Sequence, residues 1–124
     1  MKITSFNPLI LTSNAEEVIR TFEELGFMKK HTNTNVDGKD ITNFTLADAN
    51  GYKVDVASSA AIKQDLTMIR MNVDDFDEAY AFFIGRGFKM GGDHVVESKS
   101  SKSAMMISPS GFAFDLCHHI KNHD

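Results

Sequence analysis

Residues 14–27 read Asn-Ala-Glu-Glu-Val-Ile-Arg-Thr-Phe-Glu-Glu-Leu-Gly-Phe, and residues 75–88 read Asp-Phe-Asp-Glu-Ala-Tyr-Ala-Phe-Phe-Ile-Gly-Arg-Gly-Phe. With Gly26-Phe27 laid on Gly87-Phe88, 61 positions later, Asn14 meets Asp75, Glu17 meets Glu78 and Phe22 meets Phe83. Each match has a helical reason. Asn14 and Asp75 can accept a hydrogen bond from an amide left unpaired at a helix start. Glu17 and Glu78 follow at capping-box spacing. Val18, Phe22 and Leu25 fall on one helical face, as do Phe76, Ala79, Tyr80 and Phe83. Gly26 and Gly87 suit the left-handed position that ends a helix, where a Cβ would clash.

The repeat extends outward from the helices. Gly51-Tyr52-Lys53-Val54-Asp55-Val56 corresponds to Gly111-Phe112-Ala113-Phe114-Asp115-Leu116, now 60 positions apart. Each segment follows a turn sequence, Asp48-Ala49-Asn50 or Ser108-Pro109-Ser110. Each is expected to be a strand with an even-numbered apolar face: Tyr52, Val54 and Val56, then Phe112, Phe114 and Leu116. The pattern predicts a mixed α/β, α+β fold of two tandem β-α-β-β-β modules, with copies at 1–59 and 64–119 inside one domain spanning 1–124.

The coarse pass gives strands at 3–12, 28–35, 40–47 and 52–58 around a helix at 15–25. Strands at 66–73, 88–97, 102–108 and 112–118 surround a second helix at 76–86. Asp37-Gly38 is a hairpin signal, Ser98 to Ser101 reads as a turn, and the tail from Lys121 is expected to fray.

Composition narrows the function. The chain has 124 residues, 42% of them hydrophobic, enough for one domain to bury a core without disulfide or structural metal. Ten Phe and no Trp make Phe the large aromatic of that core. Thirteen basic against 17 acidic side chains give a net charge of -4, which speaks against a nucleic-acid partner. No apolar run of about 18 residues exists to span a bilayer, so no membrane partner is expected. Cys117 is the single cysteine and has no internal partner for a disulfide. With no signal-peptide pattern at residues 1–6, the expectation is a cytoplasmic protein.

Strand periodicity places the candidate site. The odd residues Lys53, Asp55, Ala57, Ala113, Asp115 and Cys117 should face away from the helices. In 66–73, Ile69, Met71 and Val73 form the apolar face, which leaves Met68, Arg70 and Asn72 on the other. A cleft lined by Asn7, Leu9, Asp55, Met68, Arg70 and Asp115 has the usual mix of apolar area and a few polar anchors. Arg70 can grip a carboxylate or phosphate of a ligand with its donor fork; equally, it can pair with Asp55 or Asp115 as a structural strut.

The doubled helix-to-Gly-Phe segment and the doubled Gly-to-acid strand resemble the vicinal oxygen chelate superfamily, which contains glyoxalases, extradiol dioxygenases and bleomycin-binding resistance proteins. The resemblance covers nearly the whole chain. It implies curved sheets around a cleft, of the glyoxalase/bleomycin resistance type. It also implies metal-ligand positions on the first and last strands of each copy, which fall here on Asn7, Asp55, Met68 and Asp115. The family favours histidine on the first strands, and neither histidine is present. A thioether suits a hard or borderline ion poorly. The expectation is therefore no metal and no cofactor, with a small-molecule ligand held in the cleft of one chain or between the subunits of a homodimer. The alternative is a metal-dependent lyase or isomerase of the glyoxalase type. His31, His94, His118 and His119 are read as surface or structural residues, and Cys117 as a buried, inert thiol.

Overall fold

The structure, a computed structural model, describes residues 1–33, 42–92, 95–97 and 101–119. Its elements are β1 (Ile3–Thr12), α1 (Ala15–Glu24), β2 (Met28–Asn33), β3 (Thr42–Ala47), β4 (Lys53–Ser58), β5 (Leu66–Val73), α2 (Phe76–Ile84), β6 (Lys89–Met90), β7 (Val96–Glu97), β8 (Ser101–Ile107) and β9 (Ala113–His119). The fold is mixed α+β. The Asp37-Gly38 hairpin, His94, the turn at 98–100 and the tail lie outside the described residues. The strand expected over 88–97 is instead two short strands, β6 and β7, both paired with β8. The chain divides into a first unit, Asn7–Thr67, and a second, Met1–Phe6 with Met68–Asp124.

In the first unit the strand order is β2-β3-β4-β1, antiparallel except that β1 runs parallel to β4. Its core joins Ile19 of α1 to Leu46, Val54 and Val56, with Val18, Phe22, Phe27 and Phe44 packed against them. In the second unit the order is β5-β9-β8-β6, with β5 parallel to β9. Its core joins Phe76 and Ala79 of α2 to Val73, Ala104, Met106, Phe114 and Leu116.

Both helices stop by the same device. Gly26 and Gly87 have φ of 106° and 87°. Gly26 N donates to Glu23 O and Phe27 N to Phe22 O; Gly87 N donates to Ile84 O and Phe88 N to Phe83 O. These are paired Schellman bonds, and the aromatic that follows each glycine folds back onto its helix. Ring centroids are 5.3 Å apart for Phe22 and Phe27 and 5.0 Å for Phe83 and Phe88. Leu25, expected in the apolar stripe, is 69% exposed. The helix has ended by then, and Phe27 fills the place beside Phe22. Tyr52 and Phe112 are also exposed, because they close the turns before β4 and β9 rather than sit in the strands.

The helix starts differ. Asp75 Oδ1 accepts from Glu78 N at 3.0 Å, while Asn14 makes no side-chain cap. Its own N–H donates instead to Thr12 Oγ1 at 2.9 Å. Glu17 and Glu78 do not complete the reciprocal box either: Glu17 pairs with Arg20, and Glu78 with the Met1 amino group. Asp75→Ala is therefore expected to cost about 1 kcal/mol and Asn14→Ala a small fraction of that, read from urea midpoints.

At the start of the second unit, Lys2 N donates to Asp74 Oδ1 at 2.7 Å, and Asp74 N donates to Lys2 O. The bond from Lys2 holds the Asp74 carboxyl below its usual value of 3.8. A carboxyl lowered on folding adds stability above its unfolded value and loses it as pH falls through the folded one. The difference between the parent and Asp74→Asn should be present at neutral pH and vanish in acid below 3.8. Denaturation midpoints across that range measure it.

Candidate ligand-binding site

The candidate residues fall in two groups, one per unit. In the first, the parallel register sets Leu9 beside Asp55, and the antiparallel register sets Thr45 beside Asp55. Asp55 Oδ1 accepts from Thr45 Oγ1 at 2.9 Å. Leu9 and Asp55 are each 2% exposed, so neither offers open surface as the chain stands, whereas Asn7 is half-buried. Lys53, expected on the same face, is exposed, and Ala57 is buried.

In the second unit β5 and β9 set Arg70 beside Asp115. Arg70 Nε donates to Asp115 Oδ2 at 2.8 Å, and both side chains are 14% exposed. The strut that the sequence left open as one role for Arg70 is thus made to Asp115, and the short distance marks it as charge-assisted. Met71 and Val73 pack in the core, so Met68, Arg70 and Asn72 share the opposite face, as strand alternation requires. Ile69 is partly exposed and does not join that core.

Corresponding positions carry unlike chemistry. Leu9 and Arg70 are 61 residues apart, and Asp55 and Asp115 are 60 apart, as are Thr45 and Met105, their respective partners on β3 and β8. One acid is therefore flanked by an aliphatic chain and a hydroxyl, the other by a guanidinium and a thioether.

Sequence reading missed Thr45, and it put Asn72 on the face of Arg70 without finding its partner. Thr45 was within reach. The turn at Asp48 to Gly51 pairs Ala47 with Lys53, and counting two residues away from the turn, back along β3 and forward along β4, brings Thr45 opposite Asp55. Asn72 Nδ2 donates to Ser5 Oγ at 2.7 Å, and its Oδ1 is buried with no hydrogen-bond partner among the described residues. No local pattern announces that pairing, which joins residues 67 positions apart.

The positions that the resemblance gives to a metal do not fit one. Asp115 is held by a cation, Asp55 accepts a hydroxyl hydrogen bond, and Met68 offers a thioether. Among the described residues no three His, Cys, Asp or Glu side chains converge as a metal group. His118 and His119 are neighbours on β9, so their side chains point to opposite faces.

No family model matches the chain, and no curated protein matches it by sequence. Solved structures do match it in fold. A methylmalonyl-CoA epimerase from Mycobacterium tuberculosis has a TM-score of 0.73 at 13% identity, over 96% of this chain and 90% of that one. A glyoxalase/bleomycin resistance protein/dioxygenase superfamily member from Vibrio splendidus 12B01 has a TM-score of 0.58 at 18% identity, over 92% and 97%. A mutant glyoxalase I from Zea mays has a TM-score of 0.64 at 16% identity, over 94% of this chain but 43% of that one. Among the described residues no helix is long and apolar enough to cross a membrane. Two helix-and-sheet units with matching stops and turns, together with these likenesses, identify the chain as having the vicinal oxygen chelate fold of the glyoxalase/bleomycin resistance type.

Proposed function

We propose that the chain is a small-molecule-binding protein of the glyoxalase/bleomycin-resistance type that works without the family's usual metal site. The observation that supports this reading is the ion pair from Arg70 to Asp115, which places an organic cation at an acid position where the fold type would set a metal ligand. In the second unit Met68 supplies apolar area and Arg70 and Asp115 supply orientation; in the first, Asn7 is the accessible polar group beside the buried Leu9 and Asp55. The partner is a small molecule rather than nucleic acid, in keeping with the net charge of -4. A homodimer in the cytoplasm completes the reading.

A thermal-shift screen in chelator, with glutathione conjugates and basic antibiotics as probes, tests it. A ligand at 100 times its Kd adds about 2.7 kcal/mol, a shift of several degrees that Arg70→Ala should reduce. If no probe class shifts the protein, the binding reading falls. The second reading is a metal-dependent lyase or isomerase, favoured by the likeness in fold to an epimerase and to glyoxalase I. Stoichiometric metal in protein purified without chelator, lost in Asp55→Ala or Asp115→Ala, would put it first.

A further inference from the structure

We infer that the second unit binds a small organic anion on the sheet face opposite α2, its apolar body laid on Met105 and Ile107 and its charge at Lys89, with Gly91 keeping that floor flat. The inference rests on the small-molecule reading above and names the class of ligand.

Three observations carry it. The first is which side chains share the face. Met90, Met106 and Phe114 pack in the core with α2, so by alternation Lys89, Met105, Ile107, Ala113 and Asp115 lie on the other side of β6, β8 and β9. The ladders arrange them in two rows. Arg70, Asp115 and Met105 form one, and Ala113, Ile107 and Lys89 form the next. The second observation is charge. Arg70 and Asp115 match each other at 2.8 Å. Lys89, exposed at the outer end of its row, is then the unmatched charge of the two rows. Met105 is 36% exposed and Ile107 is half-buried, so apolar area lies between that cation and the ion pair. Such a strip complements an apolar acid and disfavours a basic ligand. The third observation is Gly91. It is not one of the glycines with positive φ, so backbone conformation does not require a glycine there. Space does. Gly91 N donates to Met105 O at 2.7 Å, and a Cβ at position 91 would stand 2.6 Å from Met105 Cε and 3.0 Å from Ile107 Cδ1. The missing side chain is the seat of the Met105 tip, which lies along the sheet toward Gly91. With a side chain at 91 the flexible thioether gives way, and it rises over the floor on which the ligand's body rests.

The test titrates the full chain by fluorescence with two probes. One is anilinonaphthalenesulfonate, an apolar aromatic anion, and the other is the uncharged phenylnaphthylamine. The parent is expected to bind both. Lys89→Gln should weaken the sulfonate about fivefold, the upper end for an exposed charge pair, and leave the amine unchanged. Gly91→Ala should weaken both probes by about fivefold or more, the low end of what overpacking costs. Adding Met105→Leu, whose shorter side chain ends before the seat, should restore the amine. That double variant keeps the test decisive if Gly91→Ala alone loses stability. An unchanged sulfonate affinity in Lys89→Gln, unchanged affinities in Gly91→Ala, or no recovery in the double variant overturns the inference. So does probe binding that falls as protein concentration rises, the mark of a second copy covering the face. If neither probe binds while another compound shifts the Tm in the screen above, this inference falls and the binding reading stands. If nothing shifts the Tm either, both fall.

Discussion

Arg70→Met should destabilise the protein by about 3 kcal/mol, the lower end of the range of about 3–5 kcal/mol for removing one member of a buried ion pair. The pair is 14% exposed on each side, so solvent relieves part of that cost and the lower end of the range is the better expectation. The informative comparison is the double variant Arg70→Met with Asp115→Leu. Removing both charges removes both desolvation penalties, and stability should return to the parent's level or exceed it. Asp115→Asn should fall between, because the amide oxygen still accepts from Arg70 Nε but carries no charge. Urea unfolding of the parent, Arg70→Met, Asp115→Leu and the double variant gives the coupling energy directly. A coupling below about 0.5 kcal/mol would mean that the pair is no stronger than a solvated surface contact. Arg70 would then be no strut.

Much of the architecture was legible because short-range chemistry fixes it. Gly26-Phe27 and Gly87-Phe88 encode a Schellman stop with its hydrophobic clasp, and the structure forms both. Val54, Val56, Phe114 and Leu116 encode the buried face of β4 and β9 by alternation alone. The misreadings come where an adjacent group competes. Asn14 carries the right side chain for a cap, yet the Thr12 hydroxyl engages its backbone and the cap bond is not made. Leu25 keeps helical spacing with Phe22, but the spacing stops meaning anything once the helix has ended. Tyr52 and Phe112 keep strand parity, but lie before the strand begins. Of the candidate site, the facing of Arg70 and of the two aspartates could be read from parity. That Arg70 pairs with Asp115 could not, since parity puts Asp55 and Asp115 on like terms and it is the register between β5 and β9 that sets Arg70 beside Asp115. The same limit hid the partner of Asn72, Ser5, which lies in a different part of the chain.

Phe114→Ala is the other large effect, expected to cost about 3–5 kcal/mol. Phe114 is buried at the centre of an aromatic group, with ring centroids 5.0 Å from Phe83, 6.0 Å from Phe88 and 6.2 Å from Phe112. Truncation loses the transfer of the ring and leaves a cavity beside Phe83 and Phe88. It also loses edge contacts worth about 0.5–1.5 kcal/mol per aromatic pair. Phe114→Leu keeps most of the volume and should recover more than half of the loss. The position matters beyond stability, because Phe114 immediately precedes Asp115 on β9 and pairs in register with Ile69, as Asp115 does with Arg70. Its ring anchors one face of the strand while the ion pair holds the other. If the anchoring is real, the coupling between Arg70 and Asp115 should shrink when measured in the Phe114→Ala background and persist in Phe114→Leu. If the coupling is the same in both, the core face and the polar face of β9 are energetically independent. The ion pair then owes its geometry to the β5–β9 ladder alone.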